Sequence, residues 1–109
     1  MNLDELEIVK QRALENHIPI LMDDTLEPIK EILADKKPKR ILEIGTAVGY
    51  SASQFVRFSG KQIERVDTIE LDELRAKEAI ENIEKIGVSD KINVIIGNAV
   101  DVLPTLNDK

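Results

Sequence analysis

The stretch RILEIGTAVGYSAS, residues 40–53, limits the fold of this chain more than any other. Ile41, Leu42 and Ile44 form a short, nearly continuous apolar run that breaks at Gly45, after which the chain passes through Gly49 into helical spacing. Such a run marks a strand covered on both faces, as in parallel sheets. The segments downstream repeat the theme. A helix is expected from about Tyr50 to Ser59, with Ala52, Phe55 and Val56 inward and Gly60 at its end. RVDTIEL is a second strand. Asp72 then caps a helix to Ile86, with Leu74, Ala79, Ile80, Ile83 and Ile86 on one face and Gly87 as its stop. INVIIG is a third strand, and AVDVLPTL begins a short helical turn that Pro104 interrupts or redirects.

Strand, helix, strand, helix, strand at this spacing implies an α/β fold with a parallel sheet joined by right-handed crossovers. The expected strand order is 3-2-1, which puts the first strand at one edge. Ligands of open α/β sheets sit beyond the carboxyl ends of the strands, beside the strand where the order reverses. Here that strand is ILEIG. An edge strand so apolar should not face water, so this chain is expected to be the N-terminal portion of a larger domain, cut before a fourth strand, or to be covered by another copy.

Ahead of the sheet, Leu3, Leu6, Ile8, Val9, Ala13 and Leu14 form the stripe of an amphipathic helix to about Asn16. HIPILMDD interrupts it, because Pro19 forces Ile18 into extended geometry. A second helix is expected to be capped by Asp24 or Thr25, to tolerate Pro28 in its first turn, and to present Ile29, Ile32 and Leu33 as far as Asp35. KKPK ends it as a linker.

Composition removes several function classes. At 109 residues the chain is one domain at most. Its 21 acidic and 15 basic residues give a formal charge of -6, so no general field recruits nucleic acid or an anionic membrane. Lys36, Lys37, Lys39 and Arg40 make a local basic patch, read as a solvated loop with phosphate contact as the alternative. The absence of cysteine excludes disulfides and thiolate metal sites. No apolar run approaches the ~20 residues that span a bilayer, and the N-terminus is acidic, so the simplest expectation is a cytoplasmic protein without a membrane partner.

Gly45 and Gly49 enclose Thr46, Ala47 and Val48, and Ala47 stands where a dinucleotide fold needs its middle glycine. Nicotinamide and flavin dinucleotides therefore lose ground. A ligand without a diphosphate asks less of the turn, and the helix start at Tyr50 to Ser53 offers N–H groups to a carboxylate; a plain glycine turn is the competing reading. Glu70 ends the second strand 21 residues after Gly49 (70 minus 49), where a carboxylate can accept both hydrogen bonds of a ribose diol or simply be solvated. Glu43 is an expensive group inside an apolar strand unless it is paired or aimed at the cleft, where an ammonium would suit it. Gly97, Asn98 and Ala99 follow the third strand where a purine edge would lie, or form an ordinary turn. A carboxylate, an ammonium, a ribose diol and a purine without phosphate are together the groups of S-adenosylmethionine.

On ILEIGTAVGYSA, IELDE and IIGNAVDVLP the chain resembles class I S-adenosylmethionine-dependent O-methyltransferases. The similar branch is the catechol and caffeoyl-coenzyme A type, which includes bacterial members acting on hydroxyuridine in tRNA. The resemblance implies a Rossmann-like fold in which residues 1–38 are a helical cap bordering the acceptor and residues 39–109 are the first half of the cofactor domain. It further implies that Glu43, Gly45, Thr46, Gly49, Tyr50 and Ser51 surround the methionine end. Glu70 would hold the ribose, with Leu71, Asn98 and Ala99 beside the adenine. His17, the only histidine, is expected in the cap or on the surface rather than as a base.

Members of that family hold a divalent cation with residues from the fourth strand onward. Neither Asp101 nor Asp108 replaces those ligands by position, so no catalytic or metal-binding residue is assigned, and the cation is expected only in a longer protein. The implied activity is methyl transfer to a small catechol-like hydroxyl, with this chain alone inactive and a homodimer expected. A tRNA hydroxyuridine methyltransferase and a noncatalytic, self-associating half-domain are the alternatives.

Overall fold

The computed structural model describes residues 1–106. Helices α1 (Leu3–Glu15) and α2 (Asp23–Lys36) precede β1 (Arg40–Ile44), α3 (Tyr50–Ser59), β2 (Arg65–Glu70), α4 (Glu73–Ile86), β3 (Ile92–Ile96) and α5 (Ala99–Val102). Pro104 then tightens the chain into one 3-10 turn, Leu103–Thr105. The three strands are parallel in the order β1-β2-β3, which is the expected 3-2-1 arrangement with β1 at the edge.

Local chemistry sets most boundaries. Asp72 caps α4, its Oδ1 accepting from the N–H groups of Leu74 (2.9 Å) and Arg75 (3.3 Å), and Gly87 ends the helix at φ 91. Asn2 caps α1 in the same way through Glu5 N–H, while its own N–H donates to Ile86 O and ties α1 to the end of α4. Right-handed crossovers stack the helices against one sheet face. Ile41, Val66, Ile92 and Val94 pack there with Ala52, Ala79, Ile83 and Ile86, and with Leu6, Val9 and Ala13 of α1.

Several expected details are corrected. The N-cap of α2 is Met22, without a side-chain bond, so neither Asp24 nor Thr25 caps it. Both lie in the first turn of α2, where the carboxylate of Asp24 suits the positive end of the helix dipole. Pro28 is inside α2 rather than in its first turn, and Leu26 is buried where Ile32 is exposed. On α4, Leu74 and Ile80 point outward, at 76% and 39% exposure, and Ala76 and Asn82 take buried positions instead. Leu74 lies about 200° around the helix from Ala76, so the two cannot share a face. Nor is β1 covered on both faces: Leu42 and Ile44 remain 45% and 62% exposed, because α3 and α4 lie on the opposite side. On the uncovered face Asp67 is nonetheless buried, accepting from Arg65 Nε (3.0 Å) and Asn93 Nδ2 (3.1 Å). No helix among the described residues is long and apolar enough to cross a membrane.

Candidate functional site

The carboxyl ends of the strands bring three loops together. Gly45 N–H bonds Ile69 O (2.8 Å) and Gly97 N–H bonds Glu70 O (2.9 Å), so the sheet holds the starts of the β1–α3 and β3–α5 connections in register. Between Gly45 and α3 the backbone enters the left-handed region three times, at Gly45 (φ 92), Ala47 (φ 49) and Gly49 (φ 84). The two glycines differ in their surroundings. A Cβ on Gly49 would lie 3.1 Å from Ile83 Cγ1 and 3.3 Å from Ala79 O, so this part of the turn rests directly on α4. A Cβ on Gly45 would meet nothing within 4 Å.

Two polar clusters fix the turn. Glu43 accepts hydrogen bonds from the Thr68 hydroxyl (Oε1, 2.7 Å) and from the Ser51 hydroxyl (Oε2). Thr68 therefore spends its proton on Glu43, and the 2.7 Å contact between Thr46 and Thr68 is donated by Thr46. Burial pushes the Glu43 carboxyl above its ordinary range; the Ser51 and Thr68 bonds oppose the shift and the charge of Glu70 adds to it. In the second cluster Glu70 Oε1 accepts from Ala47 N–H (2.8 Å) and Oε2 from Asp72 N–H (3.0 Å).

Two adjoining cavities open here. The first, about 290 Å³, is lined by Glu43, Gly45, Thr46, Tyr50 and Ser51, and from the α1–α2 connection by Pro19, Ile20 and Leu21. The second, about 250 Å³, is lined by Gly45, Glu70, Leu71, Asn98 and Ala99. Ile44 and Gly45 border both.

Of the ten residues that the resemblance places around a cofactor, Gly49 alone lines neither cavity; it supports the turn from beneath. Thr46 and Tyr50 are nearly buried, with their hydroxyls engaged by Thr68 and by Gln54 Nε2 (2.9 Å), so they shape the wall rather than offer a side-chain polar group. Asn98 caps α5 through Val100 N–H (2.9 Å). His17 is exposed at the end of α1 and lines neither cavity.

Sequence reasoning missed Asn82 and Thr68. Asn82 Nδ2 donates to Val48 O (3.0 Å), holding the turn from α4. Its only sequence signal is a polar residue between Ala79 and Ile86 on the buried stripe. Thr68 is a fully buried hydroxyl in the central strand, and its signal is equally slight. Among the described residues no three His, Asp or Glu side chains gather as a metal site. Asp101 is exposed on α5, and Asp108 lies outside the described residues.

Comparison with known proteins gives a consistent picture. The family model described as O-methyltransferase matches residues 3–109. A catechol O-methyltransferase of Mycobacterium tuberculosis is 43% identical over 68 residues, 62% of this chain and 30% of that protein. The O-methyltransferase from Bacillus cereus, solved in complex with S-adenosylhomocysteine, superposes with a TM-score of 0.83 at 30% identity, covering 97% of this chain and 49% of that one. A Staphylococcus aureus protein provisionally assigned as a caffeoyl-CoA O-methyltransferase gives a TM-score of 0.87 at 36% identity, over 95% of this chain and 49% of that one. The chain thus spans about half the length of these two solved structures.

Proposed function

The chain belongs to the O-methyltransferase family, and from that premise we propose that its paired cavities hold S-adenosylmethionine for methyl transfer to the hydroxyl of a small, catechol-like acceptor. The carrying observation is the division of acidic groups between two cavities that meet at Gly45, with Glu43 in one and Glu70 in the other. Glu43 suits the ammonium of the methionine end. Glu70 keeps acceptor capacity for the ribose diol, since a carboxylate has about four lone-pair sites and two are engaged. Leu71, Asn98 and Ala99 then flank the adenine. Among the described residues no Lys or Arg lines either cavity.

Transfer is a direct displacement. The acceptor oxygen attacks the sulfonium methyl, the C–S bond breaks, S-adenosylhomocysteine is left, and the hydroxyl proton is lost to solvent or a base. Alignment supplies much of the rate in such a step, and alignment is what this rigid turn and the cap residues Pro19, Ile20 and Leu21 contribute. The described residues do not form a site for the divalent cation that the family resemblance implies, so no step is assigned to it.

Calorimetric titration of S-adenosylhomocysteine tests the reading. Binding is expected, with at least a tenfold loss in Glu43→Ala and Glu70→Ala. A folded chain that gives no heat, or that prefers a nicotinamide dinucleotide, refutes it.

A second reading, an RNA hydroxyl as acceptor, is favoured by one observation. Register aligns Arg40 with Arg65, and backbone bonds place Lys39 and Lys91 beside them, so a basic row crosses the amino ends of the strands. That row is roughly 17 Å from the cavities, one five-residue strand away, within the span of a folded RNA. Salt-sensitive RNA binding lost in Lys39→Glu supports it. The exposed β1 edge also supports pairing with a second copy, for which sedimentation of a dimer is the test.

A further inference from the structure

We propose that Glu70 is a positioning residue that forms the cofactor turn before any ligand arrives, by holding Ala47 in its left-handed conformation. A non-glycine residue at φ 49 is disfavoured about tenfold in population, and Ala has no side-chain polar group with which to hold itself there. The holding group comes from the neighbouring strand. Glu70 Oε1 accepts the Ala47 N–H at 2.8 Å across a sequence separation of 23, and Oε2 accepts the Asp72 N–H at 3.0 Å.

The second bond orients the first. It fixes the carboxylate immediately ahead of α4, where the positive end of the helix favours negative charge. With both oxygens tied to backbone, the group points at the turn without help from a ligand. Asn82 holds Val48 O from the opposite side, so residues 47 and 48 are gripped from β2 and from α4 together. A turn formed in advance spares the ligand the ordering it would otherwise have to impose.

The arrangement calls for a carboxylate specifically. In Glu70→Gln one position still accepts, but the amide NH₂ would face the other backbone N–H, donor against donor. Replacing Ala47 by Gly should lower the dependence, because glycine enters the left-handed region without the steric penalty.

The inference rests on the cofactor reading only for its effect on affinity, and the decisive measurements use the isotope-labelled, ligand-free chain. A scalar coupling across the hydrogen bond between Ala47 N and Glu70 Cδ is expected in the wild type. In Glu70→Gln, the Ala47 and Asp72 amides should exchange at least tenfold faster while Val66 and Ile69 in β2 keep their rates. Absence of the coupling overturns the proposal, and needs no variant to fold. Unchanged exchange, or equal acceleration at Val66 and Ile69, overturns it as well, the latter by showing a general loss of stability. With S-adenosylhomocysteine as probe, Glu70→Gln should bind at least tenfold more weakly and the added Ala47→Gly should recover at least threefold; no recovery contradicts the strain argument. A wild type that does not bind the probe defeats the cofactor reading, and the amide data still decide this one.

Discussion

Substituting alanine at Gly45 and at Gly49 should separate ligand binding from stability, although both residues have positive φ and stand four positions apart. At Gly49 the new methyl meets left-handed backbone strain of roughly 1–2 kcal/mol. It also meets Ile83 Cγ1 at 3.1 Å and Ala79 O at 3.3 Å. The isoleucine tip can give by a few tenths of an ångström, but the helix carbonyl cannot move without disturbing α4, so overpacking adds about 1 kcal/mol, the low end of its usual range. The sum, ~2–3 kcal/mol, is a large part of the roughly 5–15 kcal/mol that holds a domain together. At Gly45 only the strain applies, the same roughly 1–2 kcal/mol, because nothing lies within 4 Å of the added methyl. Urea unfolding reads the difference. With a slope of about 1.5–2 kcal/mol/M, the midpoint should fall by ~1–2 M for Gly49→Ala and by ~0.5–1.3 M for Gly45→Ala, the difference of about 0.5 M or more being the overpacking. Affinity for S-adenosylhomocysteine should rank the other way: Gly45→Ala, which fills space bordering both cavities, loses at least tenfold, and folded Gly49→Ala loses less. Equal midpoint shifts, or a Gly49→Ala protein as stable as wild type, would refute the assignment of Gly49 to packing.

Three further outcomes follow from the clusters around the turn. Because burial raises the folded Glu43 value above its ordinary 4.5, the folded protein keeps a proton over an interval in which the unfolded chain has released it. Its stabilising contribution is therefore full below 4.5 and lost as pH rises through the folded value, so Glu43→Gln should flatten the fall in urea midpoint between 4.5 and the folded value; an unchanged slope sinks the argument. Asn82→Ala removes the buried donor to Val48 O and should cost about 1–3 kcal/mol in chemical unfolding, a change below ~0.5 kcal/mol counting against it. Asp72→Ala removes the cap shared by Leu74 and Arg75, worth ~1 kcal/mol, and should lower the Tm by about 4–8 °C in calorimetry, with a drop under ~2 °C as the contrary result.

The element order, the parallel sheet and most residues around the two cavities were legible in the sequence, because their signals are local. Gly45 breaks β1, Gly49 and Gly60 bracket α3, and Asp72 and Gly87 bracket α4 within one turn of the boundaries they set. Where local cues competed, they misled: Asp24 and Thr25 look like caps, yet α2 begins at Asp23 because the helix takes its first carbonyl from Met22. Apolar spacing likewise named Leu74, Ile80 and Ile32 as inward, since it identifies a stripe but cannot say where the neighbouring layer ends.

What the sequence determined by itself was the set of elements and the edge of the sheet at which the two cavities open; periodicity and turn chemistry act over a few residues and are written along the chain. Only the tertiary structure decided how the turn is held. Glu43 reaches Thr68 across 25 positions, Ala47 reaches Glu70 across 23, and Val48 reaches Asn82 across 34. Hydrogen bonds between groups so far apart in sequence depend on sheet register and helix packing, and those are set by the burial of the whole core at once.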